Sequence, residues 1–298
     1  MSTLLQTMLF MPGSEDRKLA KIAILDAPAF ILDLEDSVAT AAKPHARETV
    51  ARALRHGAAK RLYVRVNSLA TGLTFEDLDS VVVPGLAGVV LPKVESAADI
   101  KMVDRYLSVL ESRCGVEPGA VEVIATIETV AGVRRADEIA SAARRLRCLG
   151  FGAGDFCLDL GLEWPPPGGH LSEIVISAKV EVVMASRLAG LEPPHDGVFP
   201  DFRDPEGLRR EAEQARRLGF YGKHSIHPDQ LGVIKEVFTP SANELARARE
   251  IVDAFDHSER SGIAAIHLEG LLIDYPVAER ARRLLQLADG GDSKGGVR

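Results

Sequence analysis

Two carboxylates in this chain each arrive where an apolar run breaks. IATIETVAGV (124–133) turns polar at Glu128, and 27 positions later RCLGFGAGDF leads to Asp155. Neighbouring strands lie about 4.8 Å apart, so acids at the ends of two of them can converge on one cation. Carboxylate oxygens suit a hard ion, and Mg2+ commonly takes one or two of them while water and substrate fill its other positions. The competing reading is that each acid caps the next helix or pairs with a basic group on the rim. Gly152 and Gly154 weigh toward the cation, because a ligand can approach the backbone closely there.

Other charged residues also fall at the ends of apolar runs: Glu35 and Asp36, Arg65 and Asn67, Lys93 and Glu95, and Asp201. Arg65, inside VRVN, needs a permanent anionic partner, either a protein acid or a substrate carboxylate gripped by two parallel hydrogen bonds. Lys93 is a candidate Schiff-base lysine, or else the ion-pair partner of Glu95 or of a neighbouring strand-end acid. His224 and His227 in HSIH stand three apart and face opposite sides of a strand, so they should not share a metal. His227 is instead expected to hold the last strand-to-loop turn. Trp164 with prolines 165–167 reads as a stiff loop near the site rim, with packing as its role.

Eight β-branched or apolar runs position these groups: 7–12, 29–36, 61–67, 87–95, 121–128, 147–155, 196–202 and 220–228. Amphipathic segments separate them, the alternation of β-α units around a parallel sheet. Ser14 is expected to cap the first helix and Gly219 to end a later one. PGSEDR after the first run lacks G-x-G-x-x-G, which weighs against an open doubly wound sheet. The predicted fold class is therefore α/β, a (β/α)8 TIM barrel over residues 1–240, with its chemistry at the carboxyl ends of the strands. Beyond Pro240 the pattern changes to a helix opened by a Ser241–Glu244 capping box, a short strand-like stretch and a second helix. Residues 241–289 read as a C-terminal helical lid extension, and 290–298 as a disordered tail.

Composition narrows the function classes. A formal charge of -7 and a pI near 5.7 argue against nucleic acid as a partner. Cysteines 114, 148 and 157 lack paired spacing, and the N-terminus lacks a basic start before its short apolar run. Both point to a cytoplasmic protein. The longest apolar run, near VVVPGLAGVVLP, is about 12 residues and falls short of the ~20 of a membrane span.

With these residues assembled, the chain resembles the citrate lyase beta-subunit-like family of acyl-CoA lyases, which includes malyl-CoA and citramalyl-CoA lyases. LFMPG (9–13), ILDLEDSV (31–38), VRVN (64–67), VVLPKVES (89–96), IETVAGV (127–133), FGAGDFCLDLG (151–161), GVFPDFRDPEGL (197–208), GKHSIHPDQ (222–230) and LIDYPVAERA (272–281) look like its blocks in order. The resemblance implies a Mg2+-dependent carbon–carbon lyase that splits a 3-hydroxyacyl-CoA (malyl-, citramalyl- or citryl-CoA type) into acetyl-CoA and a 2-oxo acid. It also implies a homotrimer or hexamer. Glu128 and Asp155 would hold the metal, with Glu128 also beside the substrate, and Arg65 would hold the substrate carboxylate. Glu35 and Asp36 would support the metal's water shell, and Asp274 would be the lid acid that moves the proton.

The alternatives are a thioester hydrolase, a metal-dependent aldolase on a free 2-oxo-4-hydroxy acid, and a non-catalytic metabolite-binding or scaffold barrel. Gln6-Thr7 stand where members read Arg-Ser, which is expected to weaken a contact to the CoA end or to alter the rim. His224 stands where an aromatic is often found, a change in the pocket.

Overall fold

The computed structural model describes residues 5–56, 60–166 and 170–288. Pro167 and the glycine-rich tail lie outside them. The chain divides into two compact units, Leu5–Phe238 and a second one from Thr239. Among the described residues no helix is long and apolar enough to cross a membrane.

The first unit is a closed barrel of eight parallel strands in sequential order. They are β1 (Thr7–Pro12), β2 (Ala29–Asp33), β3 (Arg61–Arg65), β4 (Leu86–Leu91), β5 (Glu122–Ile127), β6 (Leu146–Phe151), β7 (His195–Asp196) and β8 (Gly222–Ser225). β1 closes the ring on β8 with Met8 opposite His224. Two apolar layers follow from the pleat, because successive side chains face opposite sides. Outward residues such as Leu9, Leu32, Val64 and Val89 pack under the helices. Inward residues Met8, Ile31, Tyr63, Val90, Ile124 and Cys148 fill the bore.

All eight strands form, but most stop earlier than their apolar runs. Leu34, Val66 and Val94 stay buried beyond the ends of β2, β3 and β4, so the hydrophobic signal outlasts the backbone ladder. β7 departs most, since it pairs only at His195 and Asp196, and 197–202 leave the sheet. What holds that part of the wall is a buried ion chain. Asp196 lies between Lys179 (2.8 Å), on the helix Glu173–Leu188, and Lys223 (2.7 Å) on β8, and Lys223 also reaches Glu211. Burial would raise the Asp196 carboxyl, but Lys179 and Lys223 outweigh it and hold it below its ordinary range.

Gly219 ends the helix Pro205–Leu218 at φ 108°, as expected. Ser14 does not cap the first helix. That helix is one turn, Asp16–Leu19, preceded by Glu15, which pairs with Lys18 instead.

In the second unit, Ser241 and Glu244 form the expected capping box on the helix Ala242–Arg260. The strand-like stretch is an antiparallel hairpin, Ile266–Leu268 with Leu271–Ile273, followed by the helix Tyr275–Ala288. Ile251, Phe255, Ile273 and Ala278 make its core.

Candidate active site

The pleat also builds the mouth of the barrel. Two residues beyond the inward Ile31, Tyr63, Ile124 and Cys148 stand Asp33, Arg65, Thr126 and Gly150, and two further on the acids Glu35 and Glu128 follow. The bore therefore passes from apolar to charged toward the carboxyl ends of the strands.

Arg65 is gripped by Asp33, its register partner on β2, through Nε to Oδ1 at 2.7 Å and Nη2 to Oδ2 at 2.8 Å. Its third nitrogen, Nη1, lies 3.1 Å from Glu35 and 3.3 Å from Asp36, and its Cζ sits 4.9 Å over the Phe10 ring. The partner sought from sequence is thus a protein acid, bound by the parallel pair of bonds that suits guanidinium. Burial would raise the Asp33 carboxyl, but the Arg65 bonds outweigh it and keep it low. Asp33 escaped the sequence reading, which looked to Glu35 and Asp36. The available signal was its parity with the inward Ile31 and its place opposite Arg65.

Lys93 adopts φ 50°, a left-handed conformation uncommon outside glycine. That turn aims its N–H at Glu128 Oε1, 2.8 Å away. Its ammonium lies 3.1 Å from Glu35 and 3.3 Å from Asp155. Burial would lower its pKa, but Glu35, Glu128 and Asp155 together raise it. A Schiff-base lysine needs a neutral amine, so this setting argues for the ion-pair reading. The partners are Glu35 and Asp155. Glu95 takes no part, and its N–H donates to Asp99 at the start of the next helix.

Glu128 is 3 % exposed. Its carboxylate lies against Gly152, where any side chain would run into Oε2. Burial first, then Asp155 and Glu35, push its carboxyl up to about 8, beyond what Lys93 and Arg65 offset. Asp155 does not end β6. It sits in the first turn of the helix Ala153–Asp159, because the ladder stops at Phe151. The glycines before it serve neighbouring side chains: Gly152 makes room for Glu128, and a methyl group at Gly154 would lie 3.3 Å from the Trp164 indole.

The resulting donor set is oxygen only, and its negative charge is in excess. Among the described residues no three His, Cys, Asp or Glu are gathered as a ligand group. A pair of carboxylates is what fits Mg2+, which keeps water and substrate in its other positions.

Other expected residues lie elsewhere. Asn67 is buried and bonded to Lys43, Asp77 and Leu34. Asp201 is exposed beyond the short β7 and accepts from the Arg203 N–H. His227 stacks on Phe202 at 4.5 Å and its Nδ1 accepts from Asp229 in the turn. Asp274, in the second unit, accepts from the Val277 N–H at 3.2 Å, the bond of a helix-capping acid. Gln6 and Thr7 stand at the opposite end of the barrel, bonded to Phe238 and Ser225.

Comparison with known proteins identifies the family. Residues 6–228 match the sequence model of HpcH/HpaI aldolase/citrate lyase. Citrate lyase subunit beta of Haemophilus influenzae is 36% identical over 288 residues, covering 96% of this chain and 97% of that protein. The L-malyl-CoA/beta-methylmalyl-CoA lyase of Cereibacter sphaeroides is 35% identical over 300 residues, 94% of this chain and 93% of the other. Among solved structures, CitE from Mycobacterium tuberculosis in complex with magnesium, acetoacetate and coenzyme A superposes with a TM-score of 0.80 at 31% identity, covering 96% and 98% of the two chains. With sequence, fold and near-complete coverage in agreement, the chain belongs to the HpcH/HpaI aldolase/citrate lyase family.

Proposed function

We propose that this protein is a Mg2+-dependent carbon–carbon lyase that splits a 3-hydroxyacyl-CoA reversibly into acetyl-CoA and a 2-oxo acid. The observation that carries this reading is the gathering of Glu35, Glu128 and Asp155 around Lys93, beside Arg65, at the mouth of the barrel. Relatives named citrate lyase subunit beta and malyl-CoA lyase support it, as does the magnesium and coenzyme A complex of the CitE structure.

Glu128 and Asp155 would hold the ion, with Glu35 and Asp36 beside its water shell. When bound, Mg2+ supplies a Lewis acid that polarises the substrate oxygen at the carbon–carbon bond being broken. The chain's own groups do the rest. Asp33 locks the Arg65 guanidinium in one plane, so that it can orient a substrate carboxylate at no further cost in side-chain freedom. Lys93 adds positive charge where an oxyanion develops.

Asp274 is proposed to return the proton to the acetyl carbon in cleavage, and to remove it in synthesis. It would act on a neighbour's barrel within a homotrimer or hexamer, with residues 241–289 as the lid. The three free cysteines fit a cytoplasmic setting.

The test is product formation from acetyl-CoA and 2-oxo acids with and without EDTA, read as acyl-CoA mass. Free thiol with the carbon skeleton intact would indicate a thioesterase, and 2-oxo acid cleavage without CoA an aldolase. For the lid, inactive Asp274→Ala chains mixed with inactive Glu128→Ala chains should regain activity. No recovery in oligomers proven to be mixed rejects action across the boundary.

A further inference from the structure

One level below Arg65, above the charged lower end, the inward residues of the bore carry no formal charge. His224, on β8, is 4% exposed and faces inward, its ring edge-on to Phe10 at 5.6 Å and to His195 at 5.4 Å. Phe10 in turn lies under the Arg65 guanidinium. Across the bore stand Gly150 and Thr126. A methyl group at Gly150 would lie 3.6 Å from His224 Cε1 and 3.7 Å from Thr126 Oγ1, in ordinary contact with both. Phe10 and Thr126 are only half-buried, so this level communicates with the mouth. His224 Nε2 is buried there and has no hydrogen-bond partner.

We propose that His224 is a specificity-determining residue: with Gly150 and Thr126 it forms a neutral floor that accepts a monocarboxylic 2-oxo acid bearing hydrogen or methyl, and rejects one bearing a second carboxylate. The inference rests on the lyase reading above and names its substrate class.

Charge decides the matter. Burial first, then the neighbouring His195, hold His224 well below its ordinary pKa, so the ring is neutral. At the mouth Arg65, held by Asp33, Glu35 and Asp36, is taken by the substrate's first carboxylate in the reading above, and Lys93 is held by Glu35 and Asp155. A carboxylate lowered onto this floor would exchange water for one neutral imidazole and a hydroxyl, a poor bargain for a full charge. A hydrogen or methyl loses nothing there, and Gly150 leaves the space for it.

The experiment uses the full chain with Mg2+ and acetyl-CoA, and glyoxylate, pyruvate and oxaloacetate as the three probes. The better of the first two should exceed oxaloacetate by at least ~100-fold in kcat/KM. Gly150→Ala, whose new contacts are ordinary, should lower pyruvate relative to glyoxylate by at least ~10-fold, the usual worth of a methyl in a pocket. His224→Arg, which brings a cation to the floor, should narrow the gap for oxaloacetate. Because a buried arginine can fail to fold, Gly150→Ala stands as the independent arm. A wild-type preference for oxaloacetate, or acid ratios unmoved in folded Gly150→Ala, overturns the inference while the lyase reading survives. No acetyl-CoA-dependent product from any of the three acids overturns the lyase reading itself.

Discussion

Both ends of the barrel bore hold a cluster of charge, and they are balanced differently. At the lower end Glu122 accepts from Arg61 and Arg147, at 2.8 to 2.9 Å, and from the Tyr63 hydroxyl, while Arg147 also meets Glu192 at 2.8 Å. Two guanidinium groups face two carboxylates, and each charge is answered. At the mouth, the five carboxylates of Asp33, Glu35, Asp36, Glu128 and Asp155 gather about Arg65 and Lys93, a formal excess of three negative charges over those two cations, while the buried Lys43 ammonium bonds the backbone carbonyls of Leu34 and Glu35. A buried ionic cluster by itself therefore says little about function. The uncompensated one is where an incoming cation gains most.

Five substitutions test that contrast. Removing a mouth acid should have the largest effect on catalysis. Glu128→Ala and Asp155→Ala should each cost ~10^3-fold or more in kcat, about 4 kcal/mol of transition-state stabilisation, with thermal unfolding little changed. Wild-type rates in EDTA for either folded variant would refute the metal assignment.

Next is Arg65→Lys, which keeps the charge but loses the planar grip, and is expected to lower kcat/KM by ~10^2-fold. Kinetics equal to wild type would remove Arg65 from the site.

Gly152→Ala alters the mouth indirectly, because its methyl must push Glu128 aside. We expect a loss of roughly tenfold in activity and a higher Mg2+ requirement. An unchanged Mg2+ titration would mean that the position of Glu128 is not critical.

The smallest catalytic effect belongs to the lower end. Glu122→Ala should leave kcat within about twofold of wild type yet destabilise the barrel by ~2 kcal/mol, since it removes the acid that Arg61 and Arg147 share in a partly exposed site. Denaturant titration beside steady-state kinetics reads both, and a catalytic collapse without loss of stability would erase the contrast between the two ends.

Much of this was legible in the sequence, for a physical reason. Alternating apolar runs and amphipathic helices announce a parallel barrel because burial imposes those periods, and capping at Gly219 and Ser241 is local chemistry. The residues Glu128, Asp155, Arg65 and Glu35 could be named because strand-end charges are conspicuous. Their pairings were less accessible. Asp33 grips Arg65 through a cross-strand register that one strand's pattern does not contain. Asp155 moved from strand to helix because the end of a ladder depends on its neighbour. β7 is two residues long, and the ion pairs of Asp196 beside it are invisible in a hydrophobic period.

Those buried ion pairs constrain how such a sequence can drift. Lys179, Asp196, Lys223 and Glu211 come from two helices and two strands, and the first three are fully buried. A single neutral replacement of Asp196 would leave two ammonium groups inside the protein without their shared partner. These positions are therefore expected to behave as one inherited character: lineages that keep Asp196 keep its lysines, and lineages that lose it must exchange several residues together or lengthen the seventh strand.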